Sequence, residues 1–414
     1  MRGDLRRHFA VKRPRESWSV ECPICNKTML SSVVESHAAT CEDHPKKQCI
    51  KPNFEKSGDA FSLLMKVAYW NSKKQYFVCD KEMRCFISDE KPAAEWDQDV
   101  AYGKKRISVC SATSSGTQTI KESVLNAAKG FLESDIIDHL QQYNAVSPGI
   151  LKSIMQKAVR RRAGGAAIWA AVSLVLAGEH MQLFRRFPII VVEDSILHDE
   201  YDFLVWCMMS VGKGFVPNQV LFEKYLLIVM QVSLCPIRDL IDGESCSFDE
   251  MNFDNPKYRS LCCAIRIRAG FGGMTGDIDL LKSTGASWNK RFARHAEWIT
   301  VLTKLHRGIN RRLFKVSIPL ASIDCHCCPW ILEKMDIENA ETVMWKCDGA
   351  LNSRRILSLK EIQQCRLGCA DVTNKVNVDP PLKYIWDNEM KQPLEAIRLR
   401  FLKGKICAPV TFFE

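Results

Sequence analysis

The sequence predicts a mainly α-helical fold: a small ββα module first, then a multi-helix body with a minor β element. Three observations carry this. Cys22-Pro23-Ile24-Cys25 is followed, after eleven residues, by His37 and Cys41. Gln75–Cys79 and Arg84–Ile87 read as two short strands. From Thr119 onward, apolar residues recur at three- and four-residue spacing, the period of one helix face. With 414 residues the chain is long enough for about two or three domains.

The elements run in order as follows. Residues 1–19 form a basic arm, with Arg2, Arg6, Arg7 and the run Lys12-Arg13-Pro14-Arg15 among few apolar side chains. Such a run suits nuclear import or phosphate contact. Residues 20–43 hold the ββα module. Residues 44–58 (DHPKKQCIKPNFEKS) are rich in Pro and Lys and form a linker. Residues 59–118 form a small α/β region, with a helix expected over Ala60–Ala68 before the two strands. Its end, SVCSATSSGTQT at 108–119, is small and polar and marks a domain boundary.

Residues 119–414 form the helical body. Thr119 and Glu122 make a capping box for the first helix. Ser147-Pro148-Gly149 opens the next, and Gly164-Gly165 breaks it. Residues 166–177 are apolar all round, the mark of a helix enclosed by others. That run is too short to span a bilayer, which needs about 20 residues, so no membrane partner is expected. Further helices are expected over 200–211, 218–232, 255–268, 292–307, 357–366 and 393–403. The N-terminal stretch is polar and carries no secretory signal, so the 19 cysteines read as intracellular thiols, a few of them on metal.

The metal reading rests on ligand type and spacing. Zinc takes four soft or borderline donors at the corners of a tetrahedron. The knuckle Cys22–Cys25 points two thiolates at one ion. His37 and Cys41, four apart, share one face of a helix. All four positions are filled by protein, so the zinc is structural. Binding it contributes on the order of 10 kcal/mol, which lets a module of this size fold with almost no core.

The segment CPICNKTMLSSVVESHAATC resembles the ubiquitin-binding zinc finger of the UBZ type-4 class, found in DNA-damage-tolerance proteins. The resemblance implies ubiquitin recognition by the helix that carries His37. Ala39 stands where the family carries an acidic contact residue. Residues 151–195 weakly resemble the helical domain of the MgsA/Werner-helicase-interacting ATPases. The matching residues are Lys157, Arg160, Arg161, Trp169, Ala170, Gly178, Arg185, Arg186, Glu193 and Asp194. The eukaryotic members of that family also begin with a finger of this class. No Gly-x4-Gly-Lys-Ser/Thr loop occurs, so ATP hydrolysis is not implied. Glu193-Asp194 is read as a salt-bridge partner of Arg185 or Arg186.

The charge balance is basic: 58 Lys and Arg against 48 Asp and Glu, a net +10. Phosphate attraction follows clustered cations and not the total. The clusters in the body are Lys152, Lys157, Arg160, Arg161 and Arg162; Lys290, Arg291, Arg294 and His295, with Trp298 nearby; and Lys304, His306, Arg307, Arg311, Arg312 and Lys315. The expected nucleic-acid contacts are Arg160, Arg161, Arg162, Lys290, Arg291, Arg294, Arg311 and Arg312. Cys325-His326-Cys327-Cys328 cannot all converge on one ion and reads as buried thiols; Cys347, Cys365 and Cys369 lie downstream and could complete a site, but no second knuckle is recognisable.

Together these features describe a nuclear, non-enzymatic adaptor in DNA repair or damage tolerance. A zinc finger recruits it to ubiquitin or a ubiquitinated partner, and a basic helical body binds DNA or a repair protein. One alternative is a nucleic-acid-binding protein for which ubiquitin is irrelevant. Another is a metal-dependent nuclease or hydrolase using Asp254, Asp277, Asp279, Asp324 and His326, for which no catalytic spacing is evident.

Overall fold

The computed structural model describes residues 19–21, 28–30 and 74–414, apart from 104, 143–145, 240–254, 295–296, 336, 350–379 and 407–408. The chain divides into two compact units, Met1–Ser72 and Lys73–Glu414.

In the first unit, β1 (Ser19–Glu21) pairs antiparallel with β2 (Thr28–Leu30), Val20 opposite Met29. The six residues that join them in sequence include Cys22 and Cys25. All four expected zinc ligands, Cys22, Cys25, His37 and Cys41, lie outside the described residues. So do the linker and the helix expected over Ala60–Ala68.

The second unit is mainly helical, with a small sheet. Its sheet has the order β4-β3-β6-β5. β3 (Tyr76–Cys79) and β4 (Cys85–Ser88) form the expected hairpin. β5 (Trp96–Tyr102) and β6 (Lys105–Ser111) form a second one, and β6 runs parallel to β3. Central β3 buries Phe77, Val78 and Cys79, while edge strand β5 exposes Asp97, Gln98 and Asp99.

Helix α1 (Ile120–Ala128) opens on the expected capping box. The Glu122 N–H donates to Thr119 Oγ1 at 3.2 Å, and the Thr119 N–H donates to the Glu122 carboxylate at 3.2 Å. Helix α2 (Ser134–Gln142) follows. Helix α3 (Pro148–Arg160) begins with Pro in its first turn, where no N–H is needed. Helix α4 (Gly164–Leu176) is buried at every residue, as its apolar composition requires. Gly164 and Gly165 open this helix. A Cβ on Gly165 would lie 2.4 Å from the Lys315 carbonyl oxygen, so the close pass of that segment requires glycine.

Helices α5 (His180–Asp194), α6 (Tyr201–Val211), α7 (Gln219–Leu234) and α8 (Pro256–Gly270) complete the core. The helix expected over 292–307 is instead the end of α9 (Thr275–Arg294) and then α10 (Trp298–Arg307). After β7 (Ser317–Pro319) come two short helices, α11 (Trp330–Glu333) and α12 (Ala340–Met344). The helix expected over 357–366 lies outside the described residues. Helices α13 (Pro380–Ile385) and α14 (Lys391–Lys405) follow, and β8 (Thr411–Phe413) pairs parallel with β7.

Residues 108–119 lie inside the second compact unit, Lys73–Glu414. The sheet packs on the helices: Trp206 of α6 donates its indole N–H to the Cys110 carbonyl at 3.0 Å, and Arg259 of α8 pairs with Asp89 at 2.7 Å. Residues 108–111 are the buried end of β6. No helix among the described residues is long and apolar enough to cross a membrane.

Candidate functional site

Two helices build the site. On α3, Leu151, Ile154, Met155 and Ala158 face the core. Its polar residues Lys152, Gln156, Lys157 and Arg160 recur at three- and four-residue spacing and form a second stripe. On α5, Gln182, Arg185, Arg186 and Glu193 do the same. These stripes line one cleft of about 1010 Å³, closed by Arg268, Asp277, Asp324 and His326.

The cleft is rich in cations. Lys152, Lys157, Arg160, Arg185, Arg186 and Arg268 line it against the carboxylates of Glu193, Asp277 and Asp324. Three of the six cations are matched. Arg160 grips Asp194 in a two-pronged pair, Nε to Oδ1 at 2.8 Å and Nη2 to Oδ2 at 3.0 Å, and also reaches Glu193 at 3.3 Å. Burial works against the charge on Arg160, but Asp194 and Glu193 outweigh it and raise the guanidinium's pKa. Arg186 binds Asp277 at 3.0 Å and donates to Gln156 Oε1 at 3.0 Å. Lys157 pairs with Asp324 at 2.9 Å. Burial raises the Asp324 carboxyl, yet Lys157 and the Cys327 backbone N–H reverse this and hold it below its ordinary value.

The other three cations have no carboxylate within ion-pair distance among the described residues. Arg268 donates to two backbone carbonyls, Arg185 and Gly272, both at 3.0 Å. Burial lowers its pKa. Arg185 is exposed and Lys152 half-buried. This surplus of positive charge against low-dielectric walls is what an anionic ligand requires.

The expected nucleic-acid contacts divide. Arg160 is a buried partner of Asp194 and not a surface contact; it is 4% exposed. Arg161 is also committed inside the fold, 3.8 Å from Asp348, which Arg398 grips from the other side at 2.6 Å. Arg162 is exposed at the α3–α4 turn. Arg291 binds Asp239 at 2.7 and 3.0 Å and lies 4.7 Å over the Trp288 ring. Trp298 is buried beside it, edge-on to Trp288, so it offers no face for a base to stack on. Lys290 is exposed. The Arg294 side chain lies outside the described residues. Arg311 donates to the Gly130 carbonyl at 3.0 Å and covers Phe131, and Arg312 lies over Phe314. None of the described residues from 290 to 312 lines the cleft.

Glu193-Asp194 does act through salt bridges. Its main partner is Arg160, with Arg186 second, while the Arg185 side chain takes no part. Asp277, Asp324 and His326 line the cleft together; Asp279 lies outside it and is exposed, and Asp254 is outside the described residues. Cys325 and Cys328 are buried thiols, as expected, and burial pushes both up in pKa. Cys365 and Cys369 are outside the described residues. Sequence reasoning missed Gln156, Gln182 and Arg268 as site residues. The signal for the first two was the polar stripe opposite the apolar one. Neither a protein-family model, nor a curated protein, nor a solved structure matches the chain.

Proposed function

We propose that the protein is a zinc-finger adaptor of nuclear DNA repair or damage tolerance. The finger holds structural zinc on Cys22, Cys25, His37 and Cys41 and recruits the chain to a ubiquitin-bearing partner. The body holds DNA by its phosphates. The observation that supports the second half is the cleft between α3 and α5, where Lys152, Arg185 and Arg268 face a large open volume and have no carboxylate partner among the described residues. Contacts of that kind position a backbone and carry little sequence preference. Several residues behind the resemblance to the MgsA/Werner-helicase-interacting ATPases, Lys157, Arg160, Arg185, Arg186 and Glu193, line this same cleft.

Ala39 supports a second reading, in which the chain binds nucleic acid and not ubiquitin. Titration of the zinc-loaded full chain with ubiquitin separates the two. Saturable binding lost in a His37→Ala chain supports the adaptor; no binding leaves the nucleic-acid reading alone. A DNA affinity that does not fall with salt removes the phosphate half of both. The juxtaposition of Asp277, Asp324 and His326 supports a hydrolase reading. Magnesium-dependent DNA cleavage abolished by Asp277→Ala or Asp324→Ala establishes it, and its absence rejects it.

A further inference from the structure

One buried charge of the cleft lacks a counter-charge. Arg268, near the end of α8, is 3% exposed and lines the open volume. Its Nε and Nη1 donate to the carbonyls of Arg185 and Gly272, both at 3.0 Å. Its remaining nitrogen, Nη2, has no hydrogen-bond partner among the described residues. Asp277 acts on Arg268 through space, but Arg186 already binds both Asp277 oxygens, at 3.2 and 3.0 Å. Buried charges in proteins are paired, because taking an unpaired one out of water is costly. The wall around Arg268 is therefore short of one anion.

Its surroundings repeat the shortage. Arg185 lines the same cleft, is exposed, and has no carboxylate within ion-pair distance among the described residues. The Arg268 bond to its carbonyl ties the two arginines to one wall. Gly272 and Gly273, at φ +77° and +146°, then turn the chain directly from α8 into α9. Gly273, Met274 and Asp277 bring the start of that 20-residue helix to the cleft. Its N-terminal partial positive charge adds to the two guanidiniums.

We propose that Arg268, Arg185 and the start of α9 form a site for a terminal phosphate, so that the cleft takes the phosphorylated end of a single nucleic-acid strand. The proposal rests on the reading of the cleft as a phosphate site. Charge favours an end. A phosphomonoester carries about −1.5 to −2 at neutral pH, whereas an internal diester carries a single charge. Two guanidiniums without carboxylates match the larger value, and their planar forks suit phosphate oxygens. Space favours a single strand. The cleft's volume of about 1010 Å³ is at the top of the range for small-molecule sites, about 300–1,000 Å³, which admits a strand end and excludes a duplex.

The test titrates the full chain with a short fluorescent single strand that bears a 5′-phosphate, a 3′-phosphate or neither. One of the phosphorylated strands is expected to bind at least about tenfold tighter than the strand with hydroxyl ends, the worth of one charge-assisted hydrogen bond. Arg185→Ala is expected to remove most of that preference, and so is Arg268→Lys, which loses the fork. Three strands of equal affinity that still weaken with salt overturn the end site and leave the phosphate reading of the cleft standing. Binding indifferent to salt removes both. A preference unchanged in Arg185→Ala and in a folded Arg268→Lys chain overturns the proposal; if Arg268→Lys does not fold, Arg185→Ala decides alone. A 5′-mononucleotide that competes as well as the phosphorylated strand overturns the assignment to a strand end.

Discussion

The cleft and the His198–Asp199–His306 cluster are both built from ionisable side chains set into a helical core, but the cleft opens to solvent and the cluster is closed. In the cleft, Glu193, Asp194, Asp277 and Asp324 are all met by Arg or Lys, and cations are left over. In the cluster, Asp199 Oδ1 lies 3.3 Å from His198 Nδ1 and 3.7 Å from His306 Nδ1, and all three residues are buried. The difference teaches what each polar group is for. A matched carboxylate holds its arginine in place. A surplus cation at an open wall faces a soluble anion. A carboxylate set against two stacked imidazoles in a closed wall holds them together.

The comparison can be broken in order of effect. Arg160→Ala leaves Asp194 buried without its main partner. Denaturant unfolding should show a loss of about 3–5 kcal/mol. A small loss would mean that the cleft network is ornamental.

Asp324→Asn should cost about 1–3 kcal/mol near neutral pH. The folded pKa of Asp324 lies below its unfolded value, so its contribution is complete above the unfolded value, near 3.9, and is lost as pH falls through the folded one. Wild type and variant should therefore converge in acid, and a gap that persists there would reject the pairing with Lys157. The smallest effect on folding is expected from Arg185→Ala. Exposed and without a carboxylate, it should change stability by no more than about 0.5 kcal/mol.

Much of the helical body was legible because core burial writes a period into the chain. The Thr119–Glu122 capping box, the Pro148 start and the fully buried α4 follow from local residues. β5 was not legible, because an exposed edge strand carries Asp97, Gln98 and Asp99 and so has the composition of a loop. The clusters of like charge misled for a related reason. A run such as Arg160-Arg161-Arg162 shows no partners in sequence, yet Asp194 and Asp348 meet two of the three from far along the chain. The His198–His306 stack was hidden the same way: the two residues come together only when α10 packs beside the start of α6.

The central claim is that the surplus cations of the cleft hold phosphate. The most direct measurement is the salt dependence of DNA affinity for the full chain and for the Lys152→Ala, Arg185→Ala double variant. The account predicts that log K falls linearly with log salt, and that the variant's slope is shallower by about two with its stability unchanged. An identical slope in the two chains would contradict it.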